Sequence, residues 1–385
     1  MRGGTRRALA LALVVLVYVL WNANAPHGRS IGKIKYVRQP VRRVKDLQAY
    51  LAQRAASPLD GMHIGWEDAE VIAPDPGDRI TLHTLAEMAT IAYYRNASRE
   101  APTLPGWTIT SSFGWDSDGL RGHVFSSPGS PVVVAALKGT SATFLPGGGD
   151  TAKRDKDNDN LFFSCCCARV TQSWTPVCGC YDDKAHTCDA RCVSRALIEH
   201  SFYYPAATAV YNNVSFTYPD RQLWLTGHSL GGATASLLGI TFAVPAVAFE
   251  APGERLAAAR LHLPLPPPDF SDEDAYARAP VTHVYHTADP LAMGDCQGPH
   301  SLCSVAGYAM ETRCHAGQSV IYDTQRYLGW SSNVLTHRIS AVMELLAEDW
   351  DSKVSRRARH NETLGAVPTP VRETSCADCT DWRYV

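Results

Sequence analysis

Short apolar runs separated by polar and glycine-rich stretches follow one another through the middle of the chain. Several of them are continuously apolar instead of alternating, which is typical of central strands buried on both faces of a sheet. The predicted strands are 107–111, 123–127, 132–137, 222–226, 246–249 and 281–286. Helical periodicity or runs of alanine and leucine predict helices at 80–94, after Gly231 and at 333–350. This alternation predicts an α/β fold with a mostly parallel central sheet and helices on both faces.

One segment, from Gly147 to Arg195, interrupts that pattern. It opens with three glycines, continues through a charged run and then holds seven of the chain's 12 cysteines. So irregular a stretch has little core of its own, so we interpret it as an insertion held by disulfides. Zinc is the alternative, and the ligands would then come from Cys178, Cys180, Cys188 and Cys192. The other cysteines are Cys296, Cys303, Cys314, Cys376 and Cys379.

The N-terminus has the form of a secretory targeting segment. Arg2, Arg6 and Arg7 precede an apolar run over 8–21. Two outcomes fit: a signal peptide cut after the small residues at 23–25, or a retained signal anchor. Either outcome places the rest of the chain in the secretory lumen, where cysteines oxidise. Three glycosylation triplets agree with this route, at Asn96, Asn213 and Asn361.

Composition and charge exclude other classes. The chain has 385 residues, of which 45% are hydrophobic and 19% charged, and 36 basic side chains oppose 38 acidic ones. A net charge of −2 without a long run of one sign argues against nucleic-acid binding, and the charged fraction is too low for a disordered chain. The basic stretch 28–45 is interpreted as a solvated linker, with contact to anionic lipid head groups as the alternative.

We expect four parts. Residues 1–25 hold the cytosolic tip and the apolar targeting segment, 26–75 a lumenal linker, 76–350 the main α/β domain with its Cys-rich insertion at 147–195, and 351–385 a C-terminal tail. No metal or other cofactor is predicted.

The strongest chemical motif is the G-x-S-x-G pattern at 227–231, between the strand at 222–226 and the helix after Gly231. A sharp strand-to-helix turn needs glycines beside the serine, and it exposes the serine hydroxyl at the start of a helix. We therefore predict Ser229 as a nucleophile.

A serine nucleophile needs a base and an acid that orients the base, and both should follow it in the chain. Asp289 comes directly after the strand at 281–286 and is the preferred acid, with Asp295 and Glu250 as alternatives. The preferred base is His337, and the alternatives are His283, His286, His300 and His315.

The oxyanion of an attacked ester needs two donors. Leu230 supplies one backbone amide because it follows the nucleophile. The second is predicted at Thr140, in the Lys138-Gly139-Thr140 turn after the strand at 132–137, although a plain turn would look the same.

The serine motif together with this turn resembles the class 3 lipases of the α/β-hydrolase fold. Within them the chain closely resembles the autophagy-related lipases of the fungal vacuole, over nearly its whole length. The stretches that carry this closer resemblance are FGWDSDGLRGHV (113–124), CCCAR (165–169), FEAPG (249–253), HTADP (286–290), LTHRI (335–339) and CADC (376–379).

The resemblance implies a single-pass type II membrane glycoprotein that passes through the endoplasmic reticulum, the Golgi and multivesicular bodies to the vacuole. It implies hydrolysis of the phospholipids of autophagic and multivesicular-body vesicles, a retained anchor, and Ser229, Asp289 and His337 as catalytic residues. We therefore predict a serine lipase whose substrates are membrane phospholipids and acyl glycerides. The alternatives are a secreted triacylglycerol lipase or esterase and a catalytically silent membrane-tethering glycoprotein. A further hypothesis places the segment 147–195 at the substrate entrance.

Overall fold

The computed structural model describes residues 34–56, 65–117, 119–141, 151–170, 175–182, 184–265, 275–359 and 362–385. The predicted targeting segment, residues 1–25, and the glycosylation acceptor Asn361 lie outside these ranges. Within the described ranges no helix has both the length and the apolar character needed to cross a bilayer.

An eight-stranded mixed sheet organises the chain. Its order is β12-β11-β10-β9-β8-β5-β4-β3, and the central strands β5, β8, β9, β10 and β11 run parallel. The strands are β1 (Tyr36–Val44), β2 (Trp66–Pro74), β3 (Thr108–Phe113), β4 (Gly122–Ser126), β5 (Val132–Leu137), β6 (Tyr181–Asp182), β7 (Thr187–Cys188), β8 (Gln222–His228), β9 (Ala246–Phe249), β10 (Val281–His286), β11 (Gln318–Tyr322), β12 (Val371–Arg372) and β13 (Arg383–Tyr384).

Helices cover both faces of this sheet. One face packs against α7 and α6, and the other against α2 and α11. The helices are α1 (Leu47–Ala56), α2 (Arg79–Ile91), α3 (Ala97–Glu100), α4 (Ala152–Phe163), α5 (Ala190–His200), α6 (Tyr203–Thr217), α7 (Leu230–Phe242), α8 (Arg255–Arg260), α9 (Leu302–Ala306), α10 (Thr324–Leu328), α11 (Ile339–Leu346), α12 (Trp350–Lys353) and α13 (Arg356–Arg359).

The continuously apolar strands are those buried on both faces. In β8, Leu223 and Leu225 join the core cluster under α7, whereas Trp224 between them joins the cluster under α2. All six residues of β5 are buried in the same alternating way. The predicted α/β-hydrolase class, with a mostly parallel sheet and helices on both faces, is confirmed.

The predicted helix at 333–350 is wrong in its first part. Residues Val334–Thr336 form a short 3-10 turn, and the α-helix occupies only Ile339–Leu346. The side chain of Asn333 accepts a hydrogen bond from the backbone amide of Leu335, and the hydroxyl of Thr336 donates to the carbonyl of Ala288. These contacts hold residues 333–336 against the chain just after β10, and this segment therefore does not continue as part of the α-helix.

Of the basic stretch 28–45 the structure describes residues 34–45, and these are not a plain solvated linker. From Tyr36 onward the stretch forms β1, which pairs antiparallel with β2 as a two-stranded ribbon. Its arginines face acidic residues of β2, as in the pair Arg38–Glu70 at 2.6 Å. On the other face Val41 is buried. The arginines of β1, whose charge made this stretch resemble a solvated linker, are therefore paired with acidic residues of β2 across the ribbon.

All 12 cysteines form disulfides, as the lumenal interpretation predicted, and no free thiolate remains for zinc. The pairs are Cys165–Cys379, Cys166–Cys188, Cys167–Cys178, Cys180–Cys192, Cys296–Cys303 and Cys314–Cys376. Two of them attach the C-terminal tail to the catalytic domain. The segment 147–195 is more integrated than expected, because Phe162 and Phe163 of α4 are fully buried in the main core.

Candidate active site

Ser229 lies in the turn of residues 227–231, hereafter the serine turn, between β8 and α7. Its backbone has φ 58° and ψ −129°, a conformation that costs an ordinary residue about 1–3 kcal/mol. The turn is held in place by the hydrogen bond from the Ser229 amide to the carbonyl of Phe249, at 2.9 Å. The hydroxyl is thereby presented at the carboxyl edge of the sheet.

The glycines of the serine turn are required by close backbone packing. A Cβ on Gly227 would lie 2.5 Å from the carbonyl carbon of Gly231. A Cβ on Gly231 would lie 2.8 Å from the carbonyl carbon of Lys138. The serine turn thus rests directly on the residues after β5, with no room for a side chain between them.

Three side chains from three separate elements form a hydrogen-bonded chain. Nε2 of His337 lies 2.8 Å from Oγ of Ser229, and Nδ1 of the same ring lies 2.8 Å from Oδ2 of Asp289. Since the carboxylate can only accept, Nδ1 carries the proton and Nε2 is free to accept from the serine hydroxyl. The structure therefore brings together the three residues that the sequence analysis preferred.

Asp289 is fully buried. Burial on its own favours the protonated acid, but the adjacent imidazole of His337 outweighs it and holds the pKa of Asp289 below its usual range. The second oxygen, Oδ1, accepts the backbone amide of Leu291 at 2.9 Å. The carboxylate is thus ionised and fixed opposite the imidazole.

The alternative acids and bases occupy other places. Asp295 and His300 are exposed. His315 bonds Glu373, and His283 lies 3.2 Å from Glu254. Two alternatives lie beside the triad: His286, whose Nε2 lies 3.1 Å from the carbonyl of Thr336, and Glu250, a carboxylate oxygen of which lies within 4.8 Å of ligand atoms of Asp289 and His337.

A second histidine, His228, holds the backbone of His337 in place. The ring of His228 joins the hydroxyl of Tyr93, 2.8 Å from Nδ1, to the carbonyl of His337, 2.8 Å from Nε2. Because a carbonyl only accepts, Nε2 of His228 carries the proton. Burial, followed by the charge of His337, lowers the pKa of His228 to about 3, so the ring stays neutral. Nothing in the sequence identified Tyr93, which lies 135 positions from His228.

The loop of residues 138–141, hereafter the 138–141 loop, lies against the serine turn and is held by α4. Oγ1 of Thr140 donates to Asp159 at 2.7 Å, and the amide of Ser141 donates to Asp155 at 2.8 Å. Burial raises the pKa of Asp159 well above its usual value. The hydroxyl of Thr140 is therefore engaged with Asp159, and a role of the Thr140 backbone amide as an oxyanion donor stays a prediction. Leu230 is the first residue of α7, where an amide has no intrahelical acceptor.

Both described glycosylation acceptors are exposed. Asn96 precedes α3, and Asn213 lies on the outer side of α6. Glycan attachment at these positions stays a prediction.

Comparisons with known proteins agree with this chemistry. The profile of the family described as Lipase (class 3) matches residues 169–248. A protein of Mycosarcoma maydis named "Putative lipase ATG15" is 46% identical over 397 aligned residues, which cover 92% of this chain and 76% of that protein. A protein of the same name from Cryptococcus neoformans var. neoformans is 44% identical over 88% of this chain and 72% of its own length.

Solved structures of fungal lipases also align, at low similarity. Lip2 lipase of Yarrowia lipolytica is 17% identical with a TM-score of 0.33, over 62% of this chain and 77% of that chain. A triacylglycerol lipase of Penicillium expansum is 16% identical with a TM-score of 0.33, over 65% and 82%. From the identity and coverage of its curated relatives, the chain belongs to the ATG15 lipase family and is a carboxylic-ester hydrolase.

Proposed function

We propose that the chain is a lumenal serine phospholipase that uses Ser229, His337 and Asp289 to hydrolyse acyl esters of membrane phospholipids. The observation that carries the catalytic part is the continuous hydrogen-bonded chain from Oγ of Ser229 through His337 to Asp289, with both distances at 2.8 Å. A serine hydroxyl is a weak nucleophile, and this arrangement supplies the base that activates it.

The first half-reaction forms an acyl-enzyme. Oγ of Ser229 attacks the ester carbonyl while Nε2 of His337 takes the hydroxyl proton. Asp289 holds the ring in the required tautomer and stabilises the imidazolium that forms. The backbone amides of Leu230 and Thr140 donate to the oxyanion. The imidazolium then gives its proton to the leaving alcohol oxygen as the ester C–O bond breaks.

The second half-reaction releases the fatty acid. A water molecule loses a proton to His337 as it attacks the acyl carbonyl, and the proton returns to Ser229 when the acyl–serine bond breaks. No cofactor enters this sequence. Removing one oxyanion donor from such a site typically costs about 10²–10³ in kcat.

Exposed apolar side chains next to His337 and on α9 support a lipid substrate. Leu335 is 55% exposed two residues before His337. Leu302 and Val305 of α9 are 57% and 74% exposed. The carbonyl of Gly307, directly after α9, accepts a hydrogen bond from the side chain of Asn160 of α4. Asn160 is the neighbour of Asp159, which holds the 138–141 loop. Exposed apolar groups at such a position suit contact with acyl chains or a membrane surface.

The wider setting follows from the family resemblance and the N-terminal sequence. We propose an anchored type II glycoprotein that reaches the vacuole through endosomal membranes and degrades the membranes of autophagic bodies there. Its lipase domain would comprise residues 76–350, with the tail 351–385 attached to it. Asn96, Asn213 and Asn361 would carry glycans.

The test compares lipid substrates with the full-length protein. Fatty-acid release is measured from phospholipid vesicles and from emulsified triacylglycerol, for the wild type and for Ser229→Ala. The proposal expects release from vesicles at a rate at least equal to that from the emulsion, and its loss in Ser229→Ala. Release from the emulsion alone would instead identify a triacylglycerol lipase.

A cellular arm tests the proposed location. Cells that carry only Ser229→Ala should accumulate intact vesicles in the vacuole, although the variant protein arrives there. Normal disappearance of the vesicles in those cells would contradict the proposed role.

A further inference from the structure

Glu250 is a fully buried carboxyl group beside the triad. It follows β9 directly, and its backbone has φ +46°, which is uncommon for a residue other than glycine. One of its oxygens lies within 4.8 Å of a carboxylate oxygen of Asp289 and of a ring nitrogen of His337. Among the described residues, neither oxygen of Glu250 has a hydrogen bond of standard geometry; the backbone amide of His286 is the one donor that favours its charged form.

Two carboxylates at this distance in a buried site cannot both be ionised without compensating cations. Asp289 has the stronger support for the charge, because His337 and the amide of Leu291 both donate to it. Two further titratable groups lie near Glu250: His286, with Nε2 at 3.4 Å from Oε1, and the neutral phenol of Tyr285, whose pKa is raised by burial. Burial lowers the pKa of His286, and its Nε2 proton points to the carbonyl of Thr336. No group that faces Glu250 therefore supplies a balancing positive charge in the resting site.

A nearby glutamate shows the opposite environment. Glu254 is also fully buried, but its Oε1 accepts from the hydroxyl of Ser236 at 2.5 Å and the amide of Ala316 at 3.1 Å, and lies 3.2 Å from His283. Burial alone would raise the pKa of Glu254, but His283 outweighs it and the pKa is lowered. For Glu250, burial and then the charge of Asp289 both raise the pKa, well above its usual value.

We propose that Glu250 is a positioning residue of the triad, held as a neutral acid whose proton is shared with Asp289, so that the two buried carboxyl groups together carry a single negative charge. This inference rests on the proposed function, because it concerns the same Ser229–His337–Asp289 site. Glu250 makes no contact with the attacked ester. It acts through Asp289, by drawing part of the carboxylate's charge away from His337 and by fixing the orientation of that carboxylate.

The experiment measures kcat/KM for ester hydrolysis as a function of pH in the full-length protein. Two variants separate the possible states of Glu250. Glu250→Gln keeps a donor of the same size without any charge, and Glu250→Met keeps the size but removes the donor. Glu254→Gln serves as the matched control, since it changes a buried glutamate that does not reach Asp289.

For Glu250→Gln we expect a loss of about threefold in kcat/KM, with the acid limb of the pH profile within about 0.3 pH unit of the wild type. For Glu250→Met the carboxylate of Asp289 keeps its full charge for His337, so the acid limb should move to higher pH by about half a unit or more. The acid limb of Glu254→Gln should not move.

Two results would overturn the inference. If both Glu250 variants move the acid limb to lower pH, Glu250 carries a negative charge in the wild type. If neither variant moves it, Glu250 is not coupled to Asp289. Should Glu250→Met fail to fold, infrared difference spectra of the wild type and Glu250→Gln decide: the carbonyl band of a protonated carboxylic acid must be present at neutral pH and lost in the variant, and its absence refutes the proposal.

Failure of the proposed function would look different. Covalent labelling of Ser229 by a fluorophosphonate is measured in every variant. Absence of labelling in the wild type would refute the proposed catalytic triad itself. Labelled enzymes whose acid limb does not move in either Glu250 variant would refute only the proposed role of Glu250.

Discussion

Gly139 lies where the 138–141 loop touches the serine turn, and the substitution Gly139→Ala perturbs that contact directly. A Cβ at this position would lie less than 3.0 Å from the carbonyl oxygen of His228 and from the hydroxyl of Tyr93. Ordinary contact begins at 3.4 Å, and the added Cβ would lie roughly 1 Å inside that distance from both atoms, so the 138–141 loop and the serine turn must separate by roughly 1 Å. The hydroxyl of Tyr93 has little freedom to yield, because it bonds His228 at 2.8 Å.

The expected loss in kcat follows from the displacement of the Thr140 amide. Thr140 is the next residue, so its amide is displaced from the oxyanion by a comparable distance, whereas catalytic groups must be held within about 0.5 Å. Loss of one oxyanion donor corresponds to about 2.7–4 kcal/mol of barrier, or 10²–10³ in kcat. Overpacking should also lower the free energy of unfolding by about 1–3 kcal/mol. The effect on kcat and on kcat/KM should be equal, since the donor acts only in the transition state.

The assay is steady-state hydrolysis of a soluble ester, with thermal unfolding measured on the same samples. Gly65→Ala is the matched control: a Cβ there meets only the side chain of Lys45, at an ordinary contact distance of 3.6 Å, so kcat should be unchanged. A folded Gly139→Ala enzyme with kcat within threefold of the wild type would refute the placement of the oxyanion donor in the 138–141 loop.

Three other changes test further parts of the structure. Asp289→Asn should lower kcat about 10⁴-fold through the wrong imidazole tautomer, and a loss below tenfold in single-turnover hydrolysis would contradict this. Replacing both Cys165 and Cys379 by alanine opens a bridge between residues 214 positions apart and should cost about 2–5 kcal/mol in chemical denaturation; an unchanged midpoint would contradict it. Glu373 lies 2.9 Å from His315, raises the pKa of that histidine against the effect of burial, and has its own pKa lowered in return, also against burial. The contribution of His315 to the free energy of unfolding is complete below about pH 6.5 and is lost as the pH rises through the pKa of this histidine in the folded protein. The contribution of the Glu373 carboxylate is lost on acidification below about pH 4.3. Glu373→Gln should therefore cost about 2 kcal/mol of unfolding free energy at pH 5.5 and less than half of that at pH 8.5, and equal losses at both would contradict it.

The parts of the fold that the sequence predicted correctly are those with a local signal. Strands β5, β9 and β10 have the predicted bounds, because a strand buried on both faces must be apolar at every position. The serine turn was recognisable from its five-residue G-x-S-x-G pattern, in which Gly227 is required by contact with Gly231 inside the turn, although Gly231 is required by contact with the distant Lys138. Asp289 and His337 followed from chain order and from their places at the ends of elements.

The parts that were missed depend on distant partners. The arginines of β1 look like a solvated run until β2 is beside them. Asp159 belongs to a charged stretch that looks exposed, yet it is buried and holds Thr140. The helix expected at 333–350 is interrupted because Thr336 bonds Ala288, 48 positions earlier. Hydrophobic periodicity does not indicate contacts between residues that are far apart in the sequence.

The central claim is that Ser229 is the nucleophile of a lipase, and covalent labelling tests it most directly. The full-length protein is treated with a fluorophosphonate, and the modified peptide is identified by mass spectrometry in parallel with fatty-acid release from phospholipid vesicles. We expect a single modified residue, Ser229, with release falling in proportion to the labelled fraction and absent in Ser229→Ala. Continued release by fully labelled protein or by Ser229→Ala would contradict the claim.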